Sequence, residues 1–307
     1  MDKILVFGHK SPDTDSICSA LVKAILDKKK NGVEHIPARL GNISKETQYV
    51  LDYLGLEAPM FIENIEEGQK VILVDHNEFC QSASGIEKAK IIGVIDHHRI
   101  ADFQTSDPIY FTARPYCCTC TILYNMFKDS NIEIEKTEAV LMASAIISDT
   151  LLLKSPTTTK KDVEALKDLA TIANLDVNTY GLDMLKAGTD LSSFTAEELI
   201  NIDAKCVEMN GSKVKIAQVN TVDIEDVLKN QLELEAAINN TISNENLDLF
   251  VFAITDIVNS NSEALVLGKR SDIVEKAYNV KLENNRAFLP GVVSRKKQML
   301  PIMQENA

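Results

Sequence analysis

One short segment of the chain combines an imidazole with two carboxylates, which are side chains that can hold a metal ion. It runs from Gly8 to Ser16 and places His9, Asp13 and Asp15 within seven positions. Imidazole and carboxylate groups suit divalent ions such as Mn2+, Co2+, Zn2+ and Fe2+. Because Asp13 and Asp15 are two residues apart on predicted non-helical backbone, they need not bind the same ion. The alternative is structural: Asp15 or Ser16 caps a helix, and His9 is incidental.

The elements on either side of this segment are predicted to be a strand and a helix. Residues 4–7 form a short apolar run, which is typical of a buried strand. Residues 17–30 carry apolar side chains at helical spacing. The segment is therefore interpreted as a turn from a strand into a helix.

Two further apolar runs also end in candidate ligands. Residues 70–74 are followed by Asp75, and residues 91–95 are followed by an Asp-His-His sequence at 96–98. The alternation of such strands with helices predicts an α/β fold with a doubly wound, mostly parallel sheet. In an open parallel sheet the carboxyl ends of the strands line one crevice. These groups are therefore expected to meet those of residues 8–16.

A further candidate is Asp149, which follows the apolar helix predicted over residues 137–147. A helix C-terminus tolerates a cation because its carbonyls and dipole are negative there. The predicted metal ligands, four carboxylates and two imidazoles, are His9, Asp13, Asp15, Asp75, His97 and Asp149. This set exceeds the needs of one ion and suits two ions bridged by a carboxylate. Two such ions lower the pKa of a shared water and supply hydroxide for phosphoryl hydrolysis.

The densest positive charge lies at residues 294–298, with the sequence Ser-Arg-Lys-Lys-Gln. Arg295 and Lys296 are candidates for binding phosphoryl oxygens, because Arg offers a planar fork and Lys a point charge. The alternative is that residues 294–297 form a solvated helix face. His98, next to the candidate ligand His97, is predicted to bind or protonate a phosphate oxygen. The alternative is that it only packs around the ligands and does not touch the substrate.

Three other polar residues are interpreted as structural. His35 lies in a predicted early strand and has no acidic neighbours in sequence apart from Glu34. His76 follows Asp75, but strand alternation directs its side chain away from that carboxylate. Lys205, judged by its local sequence, is an ordinary helical lysine.

The composition limits the class of protein. The chain has 307 residues, a net charge of −13, 45% hydrophobic and 25% charged residues, which is typical of a globular protein of two domains. This acidity disfavours nonspecific binding to nucleic acid or to anionic membranes. The residues after Met1 do not resemble a signal peptide, and no apolar run is long enough to span a bilayer. We therefore expect a cytoplasmic enzyme or binding protein.

The six cysteines form no spaced framework. The compact group Cys117, Cys118 and Cys120 lacks a second pair with which it could hold zinc. All six are interpreted as buried thiols of a reducing compartment.

A domain boundary is predicted where small residues interrupt the helical pattern after residue 186. The predicted first domain covers residues 1–187, a linker covers 188–195, and the second domain covers 196–307. Thr195 and Glu198 form a capping box that begins a helix. The second domain is predicted to be a smaller sheet with helices packed on it, with strands at 213–220, 248–255 and 264–268 and helices at 224–242 and 273–278.

Taken together, these motifs resemble those of a known superfamily. The four motifs of the DHH phosphoesterases are similar to His9-x3-Asp13-x-Asp15, Val74-Asp75-His76-Asn77, Asp96-His97-His98 and Ser148-Asp149-Thr150. The ending at residues 294–298 resembles that of the family II, manganese-dependent inorganic pyrophosphatases. The match covers nearly the whole chain, without a regulatory insertion of the CBS type.

The resemblance implies a catalytic DHH domain, a smaller DHHA2 domain that binds substrate, and an active site in the cleft between them. It implies that one metal is held by His9, Asp13 and Asp75. The other metal would be held, with Asp75 bridging, by Asp15, Asp75, His97 and Asp149. The residues implied to grip pyrophosphate are His98, Lys205, Arg295 and Lys296. Two Mn2+ or Co2+ per subunit, Mg2+ accompanying the substrate, and a homodimer through the N-terminal domains are also expected.

The predicted reaction is the hydrolysis of inorganic pyrophosphate to two phosphates by a metal-bridging hydroxide, with Asp75 and His98 as catalytic residues. One alternative is a DHH enzyme that acts on short polyphosphate, a nucleotide phosphate or an oligonucleotide. Single-strand nucleases usually add a basic groove and stacking aromatics, whereas this chain is acidic and has no Trp. The other alternative is a metal- or phosphate-binding regulatory module, which the complete ligand set and the basic segment argue against.

Overall fold

The computed structural model describes residues 4–307, and the chain divides into two compact units between Gly188 and Thr189. The first unit is built on a six-stranded sheet. Its strands are β1 (Ile4–Phe7), β2 (His35–Arg39), β3 (Met60–Phe61), β4 (Lys70–Val74), β5 (Lys90–Asp96) and β6 (Tyr110–Ala113). All neighbouring pairs are parallel, in the order β3-β2-β1-β4-β5-β6. The predicted doubly wound parallel sheet is confirmed.

This strand order creates a crevice at a defined place. From β1 the chain adds β2 and β3 on one side and then β4, β5 and β6 on the other side. The order of winding therefore reverses between the neighbouring strands β1 and β4. Ligands of open parallel sheets bind outside the carboxyl ends of the strands at such a reversal. The loops that leave β1, β4 and β5 therefore surround the crevice.

Six helices accompany the sheet of the first unit. They are α1 (Thr14–Asn31), α2 (Lys45–Leu54), α3 (Thr119–Asp129), α4 (Lys136–Thr150), α5 (Lys160–Ala173) and α6 (Val177–Gly188). Local capping defines several of their ends. Ser44 caps α2 and Gly55 ends it with a left-handed φ of 64°, and a capping box of Thr159 and Asp162 begins α5.

Helix α1 begins three residues earlier than its apolar pattern predicts. The Asp13 side chain caps it by accepting a hydrogen bond from the Ser16 backbone N–H at 2.9 Å. Asp15 therefore lies in the first helical turn and is fully buried. The predictions that Asp15 lies on non-helical backbone and that Asp15 or Ser16 is the cap are both wrong, because Asp13 supplies the cap first.

The second unit contains a five-stranded mixed sheet. Its strands are β7 (Lys205–Met209), β8 (Ser212–Thr221), β9 (Leu249–Asp256), β10 (Asn261–Gly268) and β11 (Arg286–Pro290). Their order is β11-β10-β9-β8-β7, in which the β8–β9 pair is parallel and the other pairs are antiparallel. Its helices are α7 (Ala196–Leu199), α8 (Ile224–Leu228), α9 (Gln231–Glu245), α10 (Asp272–Tyr278) and α11 (Leu300–Glu305), the last preceded by a helical turn at Arg295–Met299.

Two predictions for the second unit are wrong. Lys205 begins a strand and is not helical, because Asn210 and Gly211, with φ of 47° and 80°, join β7 to β8 in a two-residue hairpin turn. The single helix predicted over 224–242 is two helices, α8 and α9. Within residues 4–307, no helix is long and apolar enough to cross a membrane.

Candidate metal centre

The candidate ligands of the first unit converge on the carboxylate of Asp75, which follows β4. His9, which lies just beyond β1, has its Nε2 3.4 Å from Asp75 Oδ2 and 3.5 Å from Asp13 Oδ2. His97, which follows β5, has its Nε2 3.3 Å from Asp75 Oδ1. Each oxygen of Asp75 therefore has its own imidazole.

Two groups of three donors are compact enough to hold an ion, and Asp75 belongs to the first of them. The ligand atoms of His9, Asp13 and Asp75 all lie within 4.8 Å of one another. The ligand atoms of Asp15, His97 and Asp149 meet the same limit. The six predicted metal ligands are thus brought together by the fold, and they form two sets of a size that suits a divalent ion.

Two hydroxyls that sequence reasoning missed fix the Asp75 carboxylate. Ser16 Oγ donates to its Oδ2 at 2.8 Å, and Thr119 Oγ1 donates to its Oδ1 at 3.2 Å. All three side chains are buried. The orientation of Asp75 is therefore set by the protein itself.

Asp15 is held by the N-terminus of α3. Its two oxygens accept the backbone N–H groups of Thr119 at 2.6 Å and of Cys120 at 3.1 Å, and Ser19 Oγ donates to it at 2.9 Å. Free N–H groups and the positive dipole at a helix N-terminus stabilise an anion. Asp15 thus joins the first turn of α1 to the start of α3.

Asp149, at the end of α4, provides the observation that tests whether these residues fit a metal. Its Oδ2 is buried and has no hydrogen-bond partner among the described residues. Burial, followed by the negative charges of Asp15 and Asp75, raises the pKa of Asp149 well above its usual value. A buried carboxylate without a partner is costly, and a cation is the partner that would satisfy it. The donor set therefore fits a divalent ion.

The neighbouring titratable groups indicate the same need for positive charge. Burial and the charge of Asp75 raise the pKa of Asp15 to about 6. Burial lowers the pKa values of His9 and His97, but hydrogen bonds to carboxylates raise them by more. Those with Asp13 and Asp75 raise the pKa of His9 to about 10. The one with Asp75 raises the pKa of His97 to about 9. Protons on the imidazoles thus supply positive charge, and ligation would release them because a metal-binding histidine must be neutral.

Half of the His98 side chain is exposed, whereas the side chains of His9, His97 and Asp75 are at most 16% exposed. The Nδ1 of His98 lies 3.0 Å from Asp96 Oδ1, and this hydrogen bond is the main cause that raises the pKa of His98. Asp96 is buried and also accepts a 2.6 Å hydrogen bond from Asn77. His98 lines a cavity of about 290 Å³ together with His9 and Asp75. It is therefore an oriented group beside the candidate metal sites.

His76 is structural, as predicted. Its Nδ1 lies 2.9 Å from the Val74 carbonyl oxygen and its Nε2 lies 3.1 Å from Ser82 Oγ. Burial lowers the pKa of His76 to about 4, so the ring is neutral near pH 7.

His35 has an acidic partner that its local sequence does not show. Its Nδ1 lies 2.7 Å from Asp27 Oδ2, and the same carboxylate oxygen pairs with Lys23. This partner lies outside the local sequence of His35, and it is available because α1 brings Asp27 against β2.

The cysteines divide into two classes. Cys18, Cys117, Cys118 and Cys120 are buried as predicted, whereas Cys80 and Cys206 are exposed. The prediction that all six are buried is wrong for these two. Cys118 and Cys120 lie beside Asp15, and burial raises the pKa values of both thiols.

In the second unit the basic segment is organised around Arg295. The Arg295 backbone N–H donates to Gln218 Oε1 at 2.8 Å, and its guanidinium binds Asp203 through Nε at 3.1 Å and Nη2 at 2.7 Å. Its side chain is only 13% exposed, so the interpretation of this segment as a solvated helix face is wrong for Arg295. Arg295 and Lys296 line a cavity of about 400 Å³, while Lys205 begins β7, two residues after Asp203.

Comparison with family profiles defines the class of protein. The profile of the DHH family, N-terminal domain, matches residues 3–146, and that of the DHHA2 domain matches residues 182–306. The parallel sheet with its acidic and imidazole crevice is therefore a DHH domain, and the mixed sheet is a DHHA2 domain.

Full-length relatives narrow this class further. The chain is 57% identical to a protein of Exiguobacterium sp. and 56% identical to one of Bacillus cereus, with at least 99% of each chain covered. Both are named as probable manganese-dependent inorganic pyrophosphatases. A crystal structure from Methanococcus jannaschii, assigned to family II of the inorganic pyrophosphatases, is 41% identical with a TM-score of 0.62 over 99% of both chains. The chain belongs to the manganese-dependent, family II inorganic pyrophosphatases, and the predicted resemblance is confirmed.

Proposed function

We propose that this chain hydrolyses inorganic pyrophosphate to two phosphates at a two-metal site in its first unit. The observation that carries the proposal is the Asp75 carboxylate, which has one imidazole near each oxygen, belongs to one group of three donors and contacts His97 of the second. A carboxylate that bridges two ions needs this arrangement. The names of the full-length relatives support the same reaction.

The ligands divide between two ions. His9, Asp13 and Asp75 would hold one Mn2+, and the second would be held by Asp15, Asp75, His97 and Asp149. Co2+ suits the same mixture of nitrogen and oxygen donors. Mg2+ would enter with the substrate, because it prefers phosphate oxygens and water to an all-protein cage.

When bound, the two ions supply positive charge for the phosphoryl oxygens and lower the pKa of a shared water, so that hydroxide is available as the nucleophile near neutral pH. The protein residues position the reactants. Asp75 sets the separation of the two sites, because Ser16 and Thr119 hold its two oxygens. His98, oriented by Asp96, would donate a hydrogen bond or a proton to a phosphate oxygen.

The second unit would provide the remaining positive charge for the substrate. Lys205, Arg295 and Lys296 are the proposed contacts to pyrophosphate. The cavity beside Arg295 and the bidentate geometry that Arg offers to phosphate support this role. The domain limits of 1–187 and 196–307, an active site in the cleft between the domains, a homodimer, a cytoplasmic location and the absence of nucleic-acid and membrane partners stay predictions.

The test is phosphate release by the whole protein after it has been stripped with a chelator and reloaded with Mn2+. Pyrophosphate, tripolyphosphate and a short oligonucleotide are offered separately in the presence of Mg2+. We expect rapid release from pyrophosphate alone. The control is Asp75→Asn, which keeps the side-chain shape but removes the bridging charge, and we expect it to lose at least about a hundredfold in rate.

Each other outcome identifies which part of the proposal fails. Cleavage of tripolyphosphate or the oligonucleotide without release from pyrophosphate would contradict the substrate assignment but keep the metal site. Full activity of Asp75→Asn would contradict the two-metal assignment. Inactivity on all three substrates would favour the regulatory module.

A further inference from the structure

Glu46 connects two segments of the first unit that carry candidate ligands, although it is not one of the predicted site residues. It lies in the first turn of α2. Its Oε1 accepts hydrogen bonds from Thr14 Oγ1 at 2.6 Å and from Ser148 Oγ at 2.5 Å. Thr14 directly precedes Asp15, and Ser148 directly precedes Asp149. One carboxylate oxygen therefore joins the start of α1 to the end of α4.

These two segments supply the same group of donors. Asp15 and Asp149 belong, with His97, to the second of the two proposed metal sites. They lie at the ends of different helices, and two carboxylates placed close together repel each other. Besides the direct packing of α1 on α4, the hydrogen bonds from Thr14 and Ser148 to one Glu46 oxygen link the two backbones next to Asp15 and Asp149.

The packing around Glu46 restricts it to this position. A Cβ atom placed on Gly188 would lie 2.8 Å from Glu46 Cβ and 2.9 Å from its Oε2. Real Cβ atoms do not approach so closely, so this residue must be glycine unless Glu46 moves. Gly188 ends α6 and is the last residue of the first unit. The end of α6 thus closes over the side chain that holds the two ligand segments.

We propose that Glu46 is a positioning residue that keeps Asp15 and Asp149 within reach of one ion; the inference rests on the proposed two-metal function. In this role Glu46 contacts neither the substrate nor an ion. Residues that orient ligands from outside the ligand set typically change metal affinity by about tenfold to a hundredfold when they are replaced. The second site, which depends on both segments, is the one that weakens.

The test compares Glu46→Ala and Glu46→Gln with the wild-type protein by calorimetric titration of Mn2+ into chelator-stripped samples. We expect Glu46→Ala to bind one Mn2+ about as tightly as the wild type and the other at least about tenfold more weakly. Glu46→Gln keeps an oxygen that can accept both hydrogen bonds, so it should restore most of the lost affinity. Asp52→Asn, an exposed acid on the same helix, is the matched control and should bind both ions normally.

A second pair of variants keeps the inference testable if Glu46→Ala does not fold. Ser148→Ala removes one of the two hydrogen bonds and leaves Glu46 in place, and Gly188→Ala displaces Glu46 without altering its chemistry. Both should weaken the same Mn2+ site. Electron paramagnetic resonance of the loaded proteins should also show reduced coupling between the two ions.

The possible failures are distinguishable. If the wild-type protein binds fewer than two Mn2+, the proposed two-metal function is overturned, and this inference with it. If the wild type binds two and the folded variants at Glu46, Ser148 and Gly188 bind both equally well, the positioning role alone is overturned.

Discussion

At the scale of single residues, Asp75 combines an uncommon backbone conformation with a carboxylate held on all sides. Its φ is 58°, in the left-handed region that few residues other than Gly, Asn and Asp adopt. Its backbone N–H donates to the Ile95 carbonyl oxygen at 2.9 Å, which fixes the end of β4 against β5. A residue in this conformation is strained, and the contacts around it keep it there. The turn therefore aims the carboxylate into the crevice.

In the second unit, Arg295 is likewise held in place by several hydrogen bonds. Its backbone N–H binds Gln218, which itself donates to Thr255 at 2.8 Å and to the Val293 carbonyl oxygen at 3.0 Å. Its guanidinium is held by Asp203. The guanidinium is therefore positioned before any substrate arrives.

We expect Arg295→Ala to raise KM for pyrophosphate by roughly tenfold to a hundredfold, with a smaller change in kcat. A hydrogen bond to a charged group contributes about 1.5–3 kcal/mol, and the complex of the variant with pyrophosphate would lack this contribution. Steady-state kinetics of the Mn2+-loaded enzyme measure the effect. Lys297→Ala, which removes the charge of an exposed neighbour, is the control and should leave KM unchanged. Equal effects of both changes would mean that general positive charge, and not the Arg295 fork, binds the substrate.

At the scale of elements, α1 contributes to two separate polar clusters. Its first turn presents Asp15 to the start of α3. Its C-terminal half presents Lys23 and Asp27 to His35 at the start of β2, and the side chains of all three are less than about 10% exposed. The second cluster fixes α1 against the sheet on which the ligands depend.

The second cluster predicts a pH dependence of folding stability. Burial, assisted by the charge of Lys23 and opposed by that of Asp27, lowers the pKa of His35 in the folded protein. The unfolded chain, with an ordinary His pKa of about 6.5, then binds more protons than the folded one below that pH. This contribution to stability is fully present above about pH 6.5 and is lost as the pH falls through the folded pKa of His35.

We expect His35→Gln to remove this part of the pH dependence. Urea unfolding of metal-free protein at pH 5, 6, 7 and 8 measures it as the difference in unfolding free energy between wild type and variant. The advantage of the wild type should shrink as the pH falls from 7 to 5. The metal ligands titrate equally in both proteins, so their effect cancels. A difference that does not change with pH would show that the folded pKa of His35 is not lowered.

At the scale of the whole molecule, the proposed metal ligands all lie in the first unit, whereas three of the four proposed substrate contacts lie in the second. Metal binding should therefore depend mainly on the first unit, whereas substrate binding should depend on both. With a net charge of −13, the chain needs local positive charge to attract an anionic substrate, and the proposed ions and basic side chains would provide it.

We expect Mn2+ to protect the first unit against hydrogen exchange and to leave the second unit nearly unchanged. An ion at a concentration a hundred times its Kd stabilises the state that binds it by about 2.7 kcal/mol. Hydrogen-exchange mass spectrometry of chelator-stripped and Mn2+-loaded protein measures the effect peptide by peptide. Slower exchange should appear at the start of α1, after β4 and β5, and at the end of α4. Protection centred on residues 189–307 would contradict the placement of the metal sites.

The sequence by itself determined the α/β class, the parallel sheet and the set of candidate ligands. Apolar runs that end in acids or histidines are visible one by one, and the rule for ligands of parallel sheets brings their ends together. Local signals were also sufficient for the capping box of Thr195 and Glu198, which begins α7. The Asn210-Gly211 turn that makes Lys205 part of a strand was equally local, and its hairpin signal was available in the sequence.

Only the tertiary structure decided which neutral or distant groups hold those ligands. Thr119 contacts Asp75 across 44 positions, and Ser148 contacts Glu46 across 102. A serine, a threonine or one glutamate among many carries no periodic pattern that marks its partner. Its role follows from contacts made when the helices pack. The unpartnered oxygen of Asp149 is likewise a property of burial, because the same side chain in an unfolded chain would simply bind water.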